Sequence, residues 1–256
     1  MKGIIRMVEH DFRNFFRYKW WLVGLISMNL ADLFVSALVY NTILKQSVHL
    51  AIGSYFNFFA PGLAVTGLFA SAFMIGREVN MERRREVHHY MLSLPMSRLE
   101  LAIGRVLSGG LRGMMYMSPL LLTCFIFVGF PTVWQLLLIL GVLFLLAVGI
   151  AGLSISIAVS TSSLEKFVTA RGAIYYVLFF CSTVFYPLVV IQYAGPVLAT
   201  VAEINPLSGA SDMIRSMLLP KYFSFSYLSI LYIAIFSAIF TFTAAFAYTR
   251  ILTRNA

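Results

Sequence analysis

The sequence predicts an all-α integral membrane protein, and three observations carry that prediction. Of its 256 residues, 60% are hydrophobic and 11% charged, where an average soluble domain has about 25% charged residues. Mean hydropathy is +0.87, so apolar side chains exceed what a globular core would hide and must face lipid. Six apolar stretches each approach the length that crosses about 30 Å of hydrocarbon: 20–44, 53–76, 106–130, 135–160, 172–190 and 225–249. No internal repeat or soluble module interrupts them, so residues 1–256 read as one transmembrane domain.

Charge sets the expected orientation. Nineteen Lys and Arg stand against ten Asp and Glu, a net +9. In a membrane chain such an excess reports topology before it reports a ligand, and nucleic acid is a poor candidate partner. Fifteen of the nineteen cations fall before the first stretch, between the second and third, between the fourth and fifth, or after the sixth, and a sixteenth, Arg112, lies near the start of the third. Those regions, and both termini, are therefore expected on the cytoplasmic side of the plasma (cell inner) membrane. Cys124 and Cys181 lie within apolar runs and have no disulfide or metal-ligand spacing.

Four segments are more than simple spans. Met1 to Lys19 carries Glu9 and Asp11 and is not followed by a small-residue cleavage pattern, so it does not read as a removable leader. Within it Ile5, Val8, Phe12, Phe15 and Phe16 recur at helical spacing, with Arg6, Glu9, Arg13 and Arg17 on the other side. This predicts an interfacial helix over residues 1–19, ending at the Trp20–Trp21 anchor. Residues 77–96 are the most charged part of the chain and still place Val87, Tyr90, Met91 and Leu94 on one face. They predict a short cytoplasmic amphipathic helix stopped by Pro95, after which Ser97 and Glu100 form a capping box that starts the next helix. An apolar stripe beside charges, followed by a defined restart, reads as a protein-docking surface.

The third segment, residues 191–223, is too long for a turn. Asn205 as N-cap, Pro206 at the first helical position and the Asp212–Arg215 spacing predict an extracellular helical cap, partly re-entrant. The fourth lies inside the first stretch, where Asn29, Asp32 and Ser36 share a helical face. A carboxylate at that depth should point into the bundle or a water-filled path, as part of a substrate path or of a structural interhelical hydrogen bond. Gly109 and Gly113 have the small-xxx-small spacing of close helix packing, a common match in a chain with 17 glycines. His88 and His89 are adjacent and diverge by about 100° on a helix, which excludes a shared metal. Met114, Met115 and Met117 are ordinary fillers of an apolar helix.

Several motifs in order resemble the permease subunit of type-2 ATP-binding-cassette exporters. They are the amphipathic N-terminal helix, the charged run Arg77 to Glu86, and Leu92 to Gly104 with Arg105 where lysine is common. Val184 to Pro187 and Glu203 to Arg215 follow before the last stretch. The resemblance implies a six-span half-transporter paired with a second copy or a paralogue and driven by separate cytoplasmic ABC ATPase subunits. It implies an ATPase-coupling region at Glu82, Arg83, Arg84, Arg85, Glu86, Val87, Tyr90, Met91 and Leu94, and an extracellular gate at Phe185, Tyr186, Pro187, Asn205 and Pro206. The chain has no phosphate-binding Gly-x-x-x-x-Gly-Lys-Ser/Thr loop, so it is expected to hold no cofactor, with ATP and magnesium on the partner. Spans without a charged lining, Asp32 apart, lean towards hydrophobic or amphipathic cargo such as a drug, lipid-linked molecule or peptide. An ion-coupled transporter or channel using Asp32 is the competing reading, although no inverted repeat supports it. A membrane enzyme lacks any candidate catalytic set.

Overall fold

The computed structural model describes residues 2–17, 19–43, 54–85, 97–224 and 226–254, and among these every regular element is an α-helix. In chain order they are α1 (Lys2–Arg17), α2 (Lys19–Ile43), α3 (Tyr55–Arg84), α4 (Arg98–Val128), α5 (Val133–Ser160), α6 (Leu164–Phe180), α7 (Leu188–Ala194), α8 (Pro196–Ile204), α9 (Pro206–Leu218) and α10 (Tyr227–Arg254). Four of them, α3, α4, α5 and α10, are long and apolar enough to cross a membrane.

Local chemistry accounts for several boundaries. Ser97 accepts from the Glu100 amide at 3.1 Å while the Glu100 carboxylate accepts from the Ser97 amide at 3.2 Å, closing the expected capping box at the start of α4. Thr132 and Gln135 form a second such box at the start of α5. Asn205 caps α9, its side-chain oxygen accepting from the Leu207 amide at 3.0 Å, with Pro206 in the first turn.

Two boundaries differ from the sequence reading. The second apolar stretch does not end near Gly76, because α3 runs unbroken to Arg84 and takes in Arg77, Glu78 and Glu82. Charged residues continue a helix readily when their heads find partners. The helix of the fifth stretch, α6, starts at Leu164, capped by Ser163, and ends at Phe180, whereas the apolar run suggested 172–190. Beyond it the chain turns sideways: the Thr183 amide bonds the Ser208 hydroxyl at 2.8 Å, and Pro187 disfavours helix at Tyr186 before α7 begins.

Helix α3 is the centre of the bundle, touched by α2, α4, α5, α6 and α9. Packing register gives the helix directions. Gly113 meets Ala72, and Gly109 meets Ile75 and Ala151, so α4 is antiparallel to both α3 and α5. The Asn80 amide donates to the Ala158 carbonyl at 3.2 Å and Gly149 packs on Ser237, so α3, α5 and α10 run the same way. The C-terminal ends of α3, α5 and α10 and the start of α4 therefore share one end of the bundle, against which α1 packs. The short helices α7–α9 lie towards the other end.

The small-xxx-small pair has a use here: a Cβ on Gly109 would come within 2.7 Å of Ala151 Cβ, and one on Gly113 within 3.0 Å of Ala72 Cβ. Tighter still is Gly76, where a Cβ would collide with the hydroxyl and backbone of Ser154 on α5. Gly76→Val is expected to force α3 and α5 apart at a cost of about 1–3 kcal/mol. Gly141, with nothing within 4 Å, should accept alanine without loss. Thermal unfolding of the purified variants in detergent separates the two cases.

Candidate functional site

At the α1 end the two buried arginines of α4 organise the chain around them. Arg105 is fully buried; its Nη1 donates to Asp11 Oδ1 at 2.8 Å and its Nη2 to Glu82 near the end of α3. Tyr248 of α10, also buried, borders the same guanidinium. Two turns further along the same face of α4, Arg112 pairs through Nη1 with Glu78 at 2.6 Å and donates from Nη2 to the Asp11 backbone carbonyl. Four helices thus converge on two cations. Asp11 drives α1 into the bundle: Met7 and Asp11 are the buried residues among the described side chains of that helix, while Ile5 is exposed. Of the residues expected on its apolar face, Ile5 is exposed while Val8 and Phe12 are half-buried, so the face that meets the bundle is the one bearing Met7 and Asp11. Phe15 and Phe16 lie outside the described side chains.

Burial pushes the Asp11 carboxyl up, but Arg105 first, then His10, Arg112 and Ser108, outweigh it and hold it below the usual carboxylate range. His10, bonded through Nδ1 to Asp11 at 3.4 Å, is correspondingly raised by that hydrogen bond against partial burial.

The residues expected to couple to an ATPase divide between two settings. Glu82 and Arg83 face inward: Glu82 accepts from Arg105, and Arg83 donates to the Val159 carbonyl at 2.7 Å and to the Thr161 carbonyl. Arg84 and Arg85 end the helix exposed. Glu86, Val87, Tyr90, Met91 and Leu94 lie outside the described residues. The segment that holds them thus leaves from one anchored helix end and returns at another, the Ser97–Glu100 box.

At the opposite end a third buried arginine is the hub. Arg215 of α9 donates from Nε to the Phe58 carbonyl at 2.8 Å, from Nη1 to the Thr183 carbonyl at 2.9 Å and from Nη2 to the Val184 carbonyl at 3.1 Å. It also pairs with Asp212 and lies 3.8 Å from the Phe58 ring centroid. Asn205 Nδ2 takes up the Leu178 and Cys181 carbonyls at 2.7 and 2.9 Å, so one side chain caps the start of α9 and finishes the end of α6. Of the other expected gate residues, Phe185 packs edge-on against Phe179 at 4.3 Å and stacks on Phe59 at 5.2 Å. Its carbonyl accepts from the Tyr55 hydroxyl at 3.2 Å. Tyr186 is exposed, Pro187 precedes α7, and Pro206 is buried.

On α2, Asn29 Nδ2 donates to the Tyr116 hydroxyl at 2.7 Å, as a structural interhelical bond would. Asp32 is exposed on the side of α2 away from the packed core, Leu33 is buried and Ser36 is half-buried, so of the two expected settings for the acid the packed interior of this single chain is not the one it takes.

Arg105, Arg112, Asp11 and Glu78 were not singled out as a set by the sequence. The available signal was spacing: Arg98, Arg105 and Arg112 recur every seven residues on α4, and Glu78 and Glu82 stand one turn apart. Among the described residues no group of His, Cys, Asp or Glu is arranged to hold a metal ion.

Removing Arg105 strands two carboxylates, so Arg105→Ala is expected to cost about 3–5 kcal/mol, part of it recovered when Asp11→Asn is added. Thermal unfolding of the single and double variants checks the coupling; strictly additive losses would show none. His10 supplies a pH test. Because its folded pKa lies above 6.5, its contribution is complete below that pH and fades as pH rises through the folded value. Melting temperatures across that window should fall more steeply for the native chain than for His10→Gln.

The model of the family described as "ABC-2 type transporter" matches residues 4–219. A comparison with curated proteins finds no match.

Proposed function

The chain belongs to the ABC-2 type transporter family and is the multi-pass membrane permease component of an ABC transporter; we propose that it is the export permease, worked by separate ATPase subunits. The family implies association with an ABC ATPase. On this reading ATP and magnesium stay with that subunit and this chain performs no phosphate chemistry. The supporting observation is the anchoring on both sides of residues 86–96. Glu78 and Glu82 tie the end of α3 to α4, and Glu100 caps the beginning of α4. A segment held this way moves its helices when it is moved, as a docking helix seated in a groove of the motor must.

The proposed coupling surface runs from Glu82 to Leu94, with Val87, Tyr90, Met91 and Leu94 as the apolar contact and Arg84, Arg85 and Glu86 setting register. Six spans then follow from α2 to α6 and α10, with α6, at 17 residues, near the lower limit of about 17 for crossing the hydrocarbon. The cation-rich regions gather at the α1 end, which supports placing that end and both termini in the cytosol, with the cap of α7–α9 outside as gate. The exposed face of α2 bearing Asp32 suits a path formed with a second copy or a paralogue, for a hydrophobic or amphipathic cargo.

Co-purification tests the reading. Co-expressed with its ATPase, the chain carrying Val87→Asp and Tyr90→Asp should keep its elution profile and lose at least about tenfold of the bound ATPase. Undiminished association would overturn the docking assignment.

A further inference from the structure

Helix α5 ends on donors that another helix supplies. The last four carbonyls of a helix have no intrahelical partner, and α5 has no cation of its own in its last turn to take them. Asn80 Nδ2 of α3 donates to the Ala158 carbonyl at 3.2 Å, and Arg83 Nη1 to the Val159 carbonyl at 2.7 Å. Arg83 Nη2 then reaches past the helix end to the Thr161 carbonyl. A guanidinium is planar and rigid, so two bonds from its fork fix direction as well as distance. Its charge also suits the negative end of the α5 dipole.

The chain beyond this grip is short. Ser162 alone separates Thr161 from Ser163, which caps α6 by accepting from the Lys166 amide at 3.2 Å. Whatever holds Thr161 therefore holds the start of α6. The other end of α6 is finished by Asn205 Nδ2 on the Leu178 and Cys181 carbonyls. Between these ends α6 leans on α3 through two ring contacts, Phe69 with Tyr175 at 5.6 Å and Phe73 with Phe167 at 6.0 Å between centroids.

Glycines mark how differently the neighbouring helices are packed. Helices α3, α4 and α5 cross at Gly76, Gly109 and Gly113, where an added Cβ would come within 3.0 Å of the next helix, whereas Gly172 of α6 has nothing within 4 Å. Helices in backbone contact move as one body, while a helix held chiefly at its ends follows whichever end is moved. An α5 end capped by its own side chains would be equally satisfied. A cap taken from α3, three residues before Glu86, makes the α5–α6 turn depend on where residues 86–96 stand.

We propose that Arg83 is a positioning residue of the transport cycle: it carries displacement of residues 86–96 to the α5–α6 turn and so swings α6 about its Asn205-held end. Glu78 and Glu82 serve α4 at the same end of α3, and Arg83 serves α6. Its action is within the chain and not on the ATPase surface. The proposal rests on the coupling reading and goes beyond it by naming the residue and the helix that respond.

The test uses the full chain assembled with its ATPase in detergent, in a background of Cys124→Ala and Cys181→Ala. Spin labels on Arg98→Cys of α4 and Thr169→Cys of α6, both exposed positions, give the distance of α6 from the packed body by pulsed electron paramagnetic resonance. A non-hydrolysable ATP analogue should shift that distance in the labelled parent complex. Arg83→Gln should elute with undiminished ATPase, keep the nucleotide-free distance and lose the nucleotide-dependent shift. Arg83→Lys, which keeps the charge without the fork, should restore part of the shift, and it carries the test if the glutamine variant does not elute as folded protein. A residue that only caps α5 would lower thermal stability when replaced and leave the shift in place. An equal shift in the parent complex and in the variant that carries the test overturns the proposal. So does a parent complex that binds ATPase and nucleotide without any shift. A parent chain that binds no ATPase overturns the coupling reading, and the proposal with it.

Discussion

A guanidinium enclosed by apolar helices keeps its charge, so its donors must be taken up by oxygen atoms in fixed places. Arg105, Arg112 and Arg215 are each at most 1% exposed, and much of the architecture is the geometry that satisfies them. Arg105 and Arg112 draw in an acid from α1 and two acids from α3; Arg215 draws three backbone carbonyls and Asp212 around itself. Replacing a buried ion pair by well-packed apolar groups is often no less stable, whereas breaking one is expensive. What such pairs contribute is therefore chiefly position: they fix where α1 docks, how α3 and α4 end together, and where the cap rests.

Between these polar hubs the packing is close and apolar. Ser154 donates to the Phe73 carbonyl where Gly76 lets α3 and α5 touch, and Gly109 and Gly113 do the same for α4. Small residues at crossings replace the hydrophobic drive that lipid does not supply between helices. The aromatic side chains gather where α6 gives way to the cap, with Phe179, Phe180 and Phe185 in mutual contact.

Much of this was legible in the sequence wherever the cause is local. Apolar runs announce helices, Ser97 with Glu100 and Asn205 with Pro206 announce helix starts, and their geometry depends on a few consecutive residues. The continuation of α3 to Arg84 was less legible, because Arg77, Glu78 and Glu82 read as a loop until their partners are known. The Asp11–Arg105 pair joins residues 94 apart, and no one-dimensional pattern tells which acid will meet which base. Asp32 shows the converse: its residue type suggested the interior or a water-filled path, a helix at the margin of the bundle has two sides, and its neighbour Leu33 took the inner one.

Helix α3 is 30 residues long, about 45 Å at about 1.5 Å per residue. Near one end its carboxylates are gripped by α4, and near the other its Phe58 carbonyl is gripped by α9. A continuous helix pinned near both tips transmits a push without needing a relay of side chains along its length. Tension applied below is felt above as a single displacement, and the two faces of the membrane share one mechanical element.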